Sequence, residues 1–265
     1  MSSPNVAKSL PSFYATRPLR CKREEWVSPC VAGMMSLPWL VMYGVSRWRK
    51  RAEPRKVKPA MTSAPPITTL FVDVGNVLLT DSWGPLMRQK AVDKFGIDIA
   101  DVAKRSQLTF EGYEKGKMTL DEYLTWVVFH EERSFSRAAL TEFMLAQSEA
   151  HPEMLDLMRA LKTRYGLKIV VVTNDGREFI VHRIRRFGLK EFVDFFVVSC
   201  FVLSRKPETQ IYQLALDMAQ VDPKEVVYID DQILFVEVAE SLGLHGIHHT
   251  SYESTRASLA AFGLS

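Results

Sequence analysis

One short apolar run, residues 68–80, constrains the fold of this chain more than any other part of the sequence. Its letters, TTLFVDVGNVLLT, place one carboxylate, Asp73, among apolar residues and then break at Gly75-Asn76. A short apolar run that is closed by Gly-Asn is typical of a buried β-strand that ends in a turn. Because an unpaired carboxylate is costly to bury, Asp73 is predicted either to cap the next helix or to bind a ligand just past the strand.

Further apolar runs follow this one, and segments with helical periodicity separate them. The predicted strands cover residues 167–172, 192–199, 226–229 and 245–250, and the predicted helices between them cover 153–165, 177–187 and 206–218. Strands that alternate with helices form a parallel sheet with right-handed crossovers. The predicted fold class is therefore α/β, with a doubly wound, Rossmann-like parallel sheet of about five strands.

Residues 82–150 carry apolar residues at helical spacing, and Gly and Pro divide them into several segments. They are predicted to form a small helical cap inserted after the first strand, so that residues 67–81 and 151–265 make up the α/β core. The aromatic residues of the cap are predicted to pack in its interior. These are Phe110, Tyr113, Tyr123, Trp126 and Phe129.

Residues 1–66 differ from the rest of the chain in charge. Residues 1–62 hold twelve Lys or Arg against three Glu, so the formal charge of +3 divides into +9 for this segment and −6 for the remainder. The uncharged residues 27–45 are long enough to span a membrane, but Pro and Gly interrupt them. Four interpretations stay open: a disordered leader, an organellar targeting segment, a membrane anchor at 27–45, and upstream translation ahead of Met61.

Amino-acid composition and cysteine spacing limit the kinds of function that this chain can have. With 47% hydrophobic letters, the 265 residues suffice for the buried core of one or two domains. The three cysteines, Cys21, Cys30 and Cys200, lack C-x-x-C spacing, so neither a disulfide framework nor a zinc site is predicted, and a reducing, cytoplasmic compartment fits best. No basic stripe interleaved with aromatic residues follows the leader, so nucleic acid is not an expected partner. A monomer and a homodimer are both compatible with the sequence.

Polar residues follow the predicted strands at corresponding ends. Asp73, Thr173 and the pair Asp230-Asp231 each follow a strand directly, and Lys206 comes shortly after another. Each has an ordinary explanation as a turn or cap residue. Because the carboxyl ends of parallel strands meet at one edge of the sheet, however, all of them are expected to converge. Three neighbouring carboxylates repel one another unless a cation neutralises them, and oxygen ligands favour Mg²⁺.

Four segments carry a resemblance to a known family: FVDVGNV, VVVTN, SRKPE and VVYIDD, in this order. Residues 67–264 resemble the haloacid dehalogenase superfamily of hydrolases. The forms D-x-G-N-V and R-K-P-E-x-x-I-Y are most similar to its sugar-phosphate (glucose-1-phosphate) phosphatase-like branch. The resemblance implies a Mg²⁺-dependent hydrolase of small phosphate monoesters, acting on a small phosphorylated metabolite through an aspartyl-phosphate intermediate. The alternatives are a metal-independent 2-haloacid dehalogenase and a phospho-ligand-binding or regulatory protein whose catalysis has decayed.

The resemblance also implies roles for individual residues. Asp73 is the expected nucleophile, Thr173 the expected hydrogen-bond donor to the phosphoryl group, and Lys206 the cation that neutralises its developing charge. The implied metal ligands are Asp73, the backbone carbonyl of Gly75, Asp230 and Asp231, with Asp230 acting directly or through water. The implied substrate-binding residues are Asn76, Asn174, Asp175 and Arg177.

Two positions depart from the family pattern. Gly75 stands where a second Asp usually serves as acid and base, and general acid-base assistance is typically worth ~10²- to 10⁴-fold in rate. Asp81 and His130 are candidates to act instead, and substrates with good leaving groups, such as anomeric sugar phosphates, are expected to be preferred. Phe235 stands where a polar residue usually orients the metal-binding Asp, so weak metal binding is expected, because such losses typically cost ~10- to 100-fold.

Overall fold

A computed structural model of the chain describes residues 66–81 and 83–265. The predicted leader therefore lies outside the described residues apart from Pro66, and so do its apolar stretch at 27–45 and Met61. Among the described residues, no helix combines the length and apolar character that a membrane crossing needs.

A five-stranded parallel sheet lies at the centre of the protein, with the spatial order β3-β2-β1-β4-β5. The strands are β1 (Thr69–Val72), β2 (Lys168–Thr173), β3 (Phe195–Val198), β4 (Val226–Asp230) and β5 (His245–His248). Val72, the last residue of β1, is paired with Val171 of β2 and Ile229 of β4, so the three strands end at nearly the same level. The predicted α/β fold with a five-stranded parallel sheet is confirmed.

Helices cover both faces of the sheet. Those of the α/β core are α5 (Pro152–Tyr165), α6 (Arg177–Arg186), the single-turn α7 (Ser199–Val202), α8 (Thr209–Ala219), α9 (Ile233–Ser241) and α10 (Tyr252–Ala261). Alternate residues of a strand point to opposite faces, so Leu70 and Val72 join one apolar cluster while Phe71 joins another. The first cluster includes side chains of α5, α6 and α10, and the second includes side chains of α8 and α9.

Several element boundaries differ from the predicted ones. The third strand begins at Phe195 rather than at residue 192, because a 3₁₀ turn at Leu189–Glu191 precedes it. The fifth strand ends at His248 rather than at residue 250. The helix predicted from residue 206 begins at Thr209, because the side-chain amide of Asn174 bonds both backbone groups of Lys206 and holds that residue in the preceding loop.

Four helices lie between β1 and α5 and form what we call the insert. They are α1 (Pro85–Phe95), α2 (Ile99–Glu114), α3 (Leu120–Val127) and α4 (Arg137–Ala146). The insert has its own apolar cluster, in which Tyr113 and Tyr123 are buried as predicted. Trp126 is 61% exposed, and the prediction that it packs inside is wrong. The buried face of α3 is formed by Tyr123, Leu124 and Val127, which leaves Trp126 on the opposite face.

The two chain segments that connect the insert to the core run side by side. Leu79 and Ala150 form an antiparallel bridge, and the backbone N–H of His151 donates to the carbonyl of Leu78 at 2.9 Å. Residues 80–149 therefore leave the core and return to it at nearly the same point, next to the end of β1.

Candidate active site

A cavity of about 290 Å³ opens at the carboxyl end of β1. Side chains of the core and of the insert both line it, among them Asp73, Lys206 and Asp231 from the core and Trp83 and Glu114 from the insert side. β1 pairs with β2 on one side and with β4 on the other, so the cavity lies where the order of the sheet reverses. Open α/β sheets bind their ligands in this crevice.

Lys206 joins two of the carboxylates that follow strands. Its Nζ lies 2.9 Å from Asp73 Oδ1 and 2.5 Å from Asp230 Oδ2, and all three residues are buried. Burial by itself lowers the pKa of Lys206, but the two carboxylates outweigh burial and the pKa is raised, so the side chain stays charged. Burial raises the pKa of Asp73, and the ammonium group of Lys206 opposes that shift.

Asp230 is fully buried, and both of its carboxylate oxygens accept hydrogen bonds from the protein. Oδ2 accepts from Lys206 Nζ and from the hydroxyl of Tyr228, and Oδ1 accepts from the backbone N–H of Gln232 at 2.8 Å. The ring of Phe235 covers the same ammonium group, with its centroid 5.1 Å from Lys206 Nζ. Asp230 and Phe235 therefore both hold the lysine in place.

Asp231 is more accessible than Asp230, and two side-chain amides orient it. Asn76 Nδ2 and Gln232 Nε2 donate to the same oxygen, Oδ2, at 3.1 and 2.8 Å. The family pattern predicts an orienting residue at position 235, whereas Gln232 takes part in orienting Asp231 in this structure. Asn76, which was expected to bind substrate, lines the cavity but also contacts this carboxylate.

The three carboxylates form a cluster whose chemistry fits a divalent cation. One ligand oxygen from each of Asp73, Asp230 and Asp231 lies within 4.8 Å of the others. The ammonium group of Lys206 balances one of the three negative charges, so a further cation would relieve the remaining repulsion. Carboxylate oxygens are ligands that Mg²⁺ prefers, and the residues present fit that ion.

Comparison with known proteins identifies the family of this chain. The model of the haloacid dehalogenase-like hydrolases matches residues 67–243, which covers most of the sheet and the whole insert. The chain belongs to this family. The resemblance drawn from the four sequence motifs is thereby confirmed.

Relatives of this hydrolase include named phosphatases. A phosphorylated carbohydrates phosphatase of Thermotoga maritima is 26% identical over 50% of the chain and 56% of its own length. A sesquiterpene phosphatase of Aspergillus oryzae is 26% identical over 69% of the chain and 90% of its own length. Bifunctional epoxide hydrolase 2 of Rattus norvegicus is 31% identical over 49% of the chain, which corresponds to only 26% of the rat protein.

Solved structures of the same fold include a HAD family enzyme of Bacteroides thetaiotaomicron. It superposes with a TM-score of 0.61 at 22% identity and covers 69% of this chain and 93% of its own. The same enzyme in complex with magnesium and inorganic phosphate superposes with a TM-score of 0.60. At this level of identity the likeness shows the fold of the hydrolase alone.

Thr173 and Asn174 end the second strand of the hydrolase and lie beside Lys206. Thr173 is buried, and its hydroxyl lowers the pKa of the Asp73 carboxyl. Asn174 lines the cavity, but its amide bonds the carbonyl and the N–H of Lys206 at 2.9 and 2.8 Å. Asn174 therefore positions the lysine, while its predicted contact with substrate stays a prediction.

Asp175 also lines the cavity, but it is 6% exposed and paired with Arg183, whose Nη1 lies 2.8 Å from Asp175 Oδ2. Burial raises the pKa of Asp175 to about 6, and the guanidinium group opposes that shift. Arg177 is not among the described residues that line the cavity. Its guanidinium group contacts the carbonyl of Cys200 and lies 4.9 Å from the ring centroid of Phe201.

Of the two residues suggested as substitutes for the missing second Asp, the structure places one in the cavity. Asp81 lines it, and its Oδ1 accepts from the backbone N–H of Trp83 at 3.2 Å. His130 lies elsewhere on the insert, 3.3 Å from Asp101 Oδ2, and does not contribute to the described lining of the cavity.

Glu114 is one of the cavity-lining residues that the sequence did not single out. It is the last residue of α2, it is 8% exposed, and its Oε2 lies 3.0 Å from Arg205 Nη2. Burial raises its pKa to about 7 although Arg205 opposes the shift. An acidic side chain in the last turn of a helix interacts unfavourably with the helix dipole. Glu114 could therefore have been noticed in the sequence as an unusual residue at that position.

Proposed function

We propose that this hydrolase cleaves small phosphate monoesters in a Mg²⁺-dependent reaction that passes through an aspartyl-phosphate on Asp73. The observation that carries the proposal is the position of Lys206 Nζ, within 2.9 Å of Asp73 and 2.5 Å of Asp230, beside the carboxylate of Asp231. A buried ammonium group and a potential cation site next to the Asp73 carboxylate suit a dianionic phosphoryl group. The volume of about 290 Å³ favours a small substrate.

Asp73, Asp231 and the backbone carbonyl of Gly75 would hold the Mg²⁺ ion. A Mg²⁺ ion there supplies charge neutralisation for the phosphoryl oxygens and relief of repulsion between the carboxylates. Asp230 is expected to act mainly through Lys206, because both of its oxygens already accept hydrogen bonds from the protein.

Individual residues of the chain have separate roles in the proposed reaction. A carboxylate oxygen of Asp73 attacks phosphorus while the bond from phosphorus to the alcohol oxygen breaks. The Thr173 hydroxyl donates to a phosphoryl oxygen, and Lys206 balances the charge that develops there. Water then attacks phosphorus, releasing phosphate and restoring the Asp73 carboxylate. Two relatives support this substrate class, since one is named a phosphorylated carbohydrates phosphatase and the other a sesquiterpene phosphatase.

Hydrolysis of p-nitrophenyl phosphate tests the proposal. The wild-type chain is expected to release p-nitrophenol with Mg²⁺ present and to stop when EDTA is added. Asp73→Asn is expected to be inactive, because an amide is a poor nucleophile. The matched control is Asp217→Asn, an exposed residue of α8, which should retain full activity.

Two other outcomes would replace the proposal. Release of halide from 2-chloropropionate without Mg²⁺, blocked by Asp73→Asn, would identify a dehalogenase. Saturable binding of inorganic phosphate by a wild-type protein that hydrolyses no phosphate ester would identify a phospho-ligand-binding protein.

A further inference from the structure

Cleavage of an alkyl phosphate needs two proton transfers that Asp73 and Lys206 do not supply. The departing alcohol oxygen must receive a proton, and the water that attacks the aspartyl-phosphate must lose one. Lys206 is held by two carboxylates, which raise its pKa and keep its proton in place. Gly75, two residues after the nucleophile, carries no side chain that could exchange a proton.

Glu114 brings a carboxyl group into the same cavity from the insert. It lines the cavity together with Asp73 and Lys206. Its backbone is fixed, because the hydroxyl of Ser199 donates to the carbonyl of Glu114 at 2.7 Å. Its side chain lies 3.0 Å from Arg205 Nη2, the residue next to Lys206 in the chain.

The pairing with Arg205 leaves hydrogen-bonding capacity unused. Arg205 Nη2 lies 3.0 Å from Glu114 Oε2 without the alignment of a hydrogen bond, and within the described residues the buried Arg205 Nε has no hydrogen-bond partner. Buried polar groups are normally hydrogen-bonded, and an exception points to a missing ligand or a catalytic role. A substrate oxygen or a water molecule in the cavity would supply the partner.

The charged groups around Glu114 hold it near the midpoint of its titration at neutral pH. Burial raises its pKa to about 7, Arg205 and Lys206 lower it, and Asp175 and Asp81 raise it. Arg205 and Lys206 belong to the loop before α8, Asp175 to the loop after β2, and Asp81 to the segment after β1. An ordinary Glu, with a pKa of about 4.3, would hold no proton to donate at pH 7.

We infer that Glu114 is the proton donor and acceptor of this hydrolase. The inference rests on the proposed function. When Asp73 attacks phosphorus and the phosphorus–alcohol bond breaks, the carboxyl of Glu114 gives its proton to the alcohol oxygen and becomes a carboxylate. When water attacks the aspartyl-phosphate and the bond from phosphorus to Asp73 breaks, Glu114 takes the proton from that water and returns to its starting state. The sum is one ester and one water giving one alcohol and one phosphate.

The role of Glu114 changes the expected substrate preference. An internal acid makes kcat/KM nearly independent of the basicity of the leaving group. The preference for good leaving groups that Gly75 suggested is therefore expected in a Glu114 variant and not in the wild-type protein.

The test compares Glu114→Gln with Glu208→Gln on an alkyl and an aryl phosphate, with Mg²⁺ present. Glu208 Oε1 lies 2.5 Å from Lys115 Nζ, so this control removes an ion pair between the insert and the core without changing a residue of the cavity lining. For Glu114→Gln, kcat/KM on the alkyl ester is expected to fall roughly 10²- to 10⁴-fold, with little change on the aryl ester. The aryl ester should also give a burst of one phenol per enzyme, because the second step loses its base.

The pH profile and a rescue variant provide independent readouts. Wild-type kcat/KM should fall above about pH 7, as Glu114 loses the proton that it donates, and Glu114→Gln should lack this descent. A Cβ at Gly75 would have no neighbouring heavy atom within 4 Å, so the backbone there leaves space for a side chain to begin. Adding Gly75→Asp to Glu114→Gln should restore much of the alkyl phosphatase activity by placing a second carboxyl in the cavity.

Equal losses on both esters, or no loss on either, would overturn the role of Glu114. A structural role in docking the insert would affect both esters alike and would be shared by Glu208→Gln. A wild-type protein without any phosphatase activity would instead refute the proposed function, so the two failures are distinguishable.

Discussion

Lys206 and Asp230 occupy positions in which neither could be buried alone. An isolated charge in a protein interior is costly, and removing one member of a buried ion pair typically destabilises a protein by ~3–5 kcal/mol. Here one ammonium group contacts two carboxylates, and the hydroxyl of Tyr228 and an N–H group satisfy further lone pairs of Asp230. Lys206 therefore balances the buried charge of Asp230 and opposes the rise that burial causes in the pKa of Asp73.

At the scale of one residue, replacing Asn76 is predicted to weaken the binding of Mg²⁺. Its φ of 53° lies in the left-handed region, so Asn76→Gly removes the side chain without adding backbone strain. The loss of its hydrogen bond to Asp231 should raise the Mg²⁺ concentration for half-maximal activity roughly 10- to 100-fold, with kcat recovered at saturating Mg²⁺. Titration of activity with Mg²⁺ measures this change. An unaltered Mg²⁺ dependence would mean that Gln232 alone orients the carboxylate.

At the scale of elements, Arg183 of α6 ties the insert to the core. Its guanidinium group donates to the Thr80 carbonyl at 3.0 Å and to Ser148 Oγ at 3.1 Å, one on each connecting segment. The same group pairs with Asp175 at the edge of the cavity. One buried side chain of α6 thus joins both ends of the insert to the loop that follows β2.

Replacing Arg183 with Met should destabilise the protein by about 3–5 kcal/mol at pH 8, since Asp175 would be left as a buried charge. The folded-state pKa of Asp175 is already raised to about 6, and losing the guanidinium group would raise it further. The loss of stability should therefore shrink at pH 5, where the carboxyl is protonated in the folded protein. Urea unfolding at the two pH values measures both quantities. Arg185→Met, an exposed position on the same helix, is the control, and equal effects of the two variants would contradict this account.

At the scale of the whole molecule, the parallel sheet brings the polar residues together. Residues 73, 173, 206 and 230–231 are far apart in the sequence, yet they meet because β1, β2 and β4 end at the same edge. The insert covers this edge with Glu114 and Trp83, so the cavity has walls from both parts of the chain.

Mg²⁺ is expected to stabilise the whole fold, because it would bind the folded carboxylate cluster and not the unfolded chain. At a concentration 100 times its Kd, a ligand adds about 2.7 kcal/mol to the free energy of unfolding. The unfolding temperature should therefore rise with Mg²⁺ relative to EDTA. Asp231→Asn should abolish most of the rise, and an equal rise in this variant would place the ion elsewhere. Thermal unfolding followed by circular dichroism makes the comparison.

Features that depend on the order of neighbouring residues could be predicted from the sequence. The apolar runs and the polar residues that close them sufficed to predict the parallel sheet and the convergence of Asp73, Lys206 and Asp230-Asp231, because the geometry of a parallel sheet fixes where its strands end. The family followed from four short motifs. The exposure of Trp126 was mispredicted, since the position of an apolar residue on a short helix depends on which face its neighbours cover.

Contacts between distant segments were decided by the tertiary structure alone. The sequence does not show that Glu114 of the insert reaches the loop of Arg205, that Arg183 joins both connecting segments, or that Asn76 and Gln232 share one carboxylate oxygen. Periodicity and turn residues report the conformation of neighbouring residues, whereas these pairings depend on how a helical insert packs on a sheet. The sequence by itself determined the fold and the surroundings of Asp73, and the packing of the insert determined that Glu114 lines the same cavity.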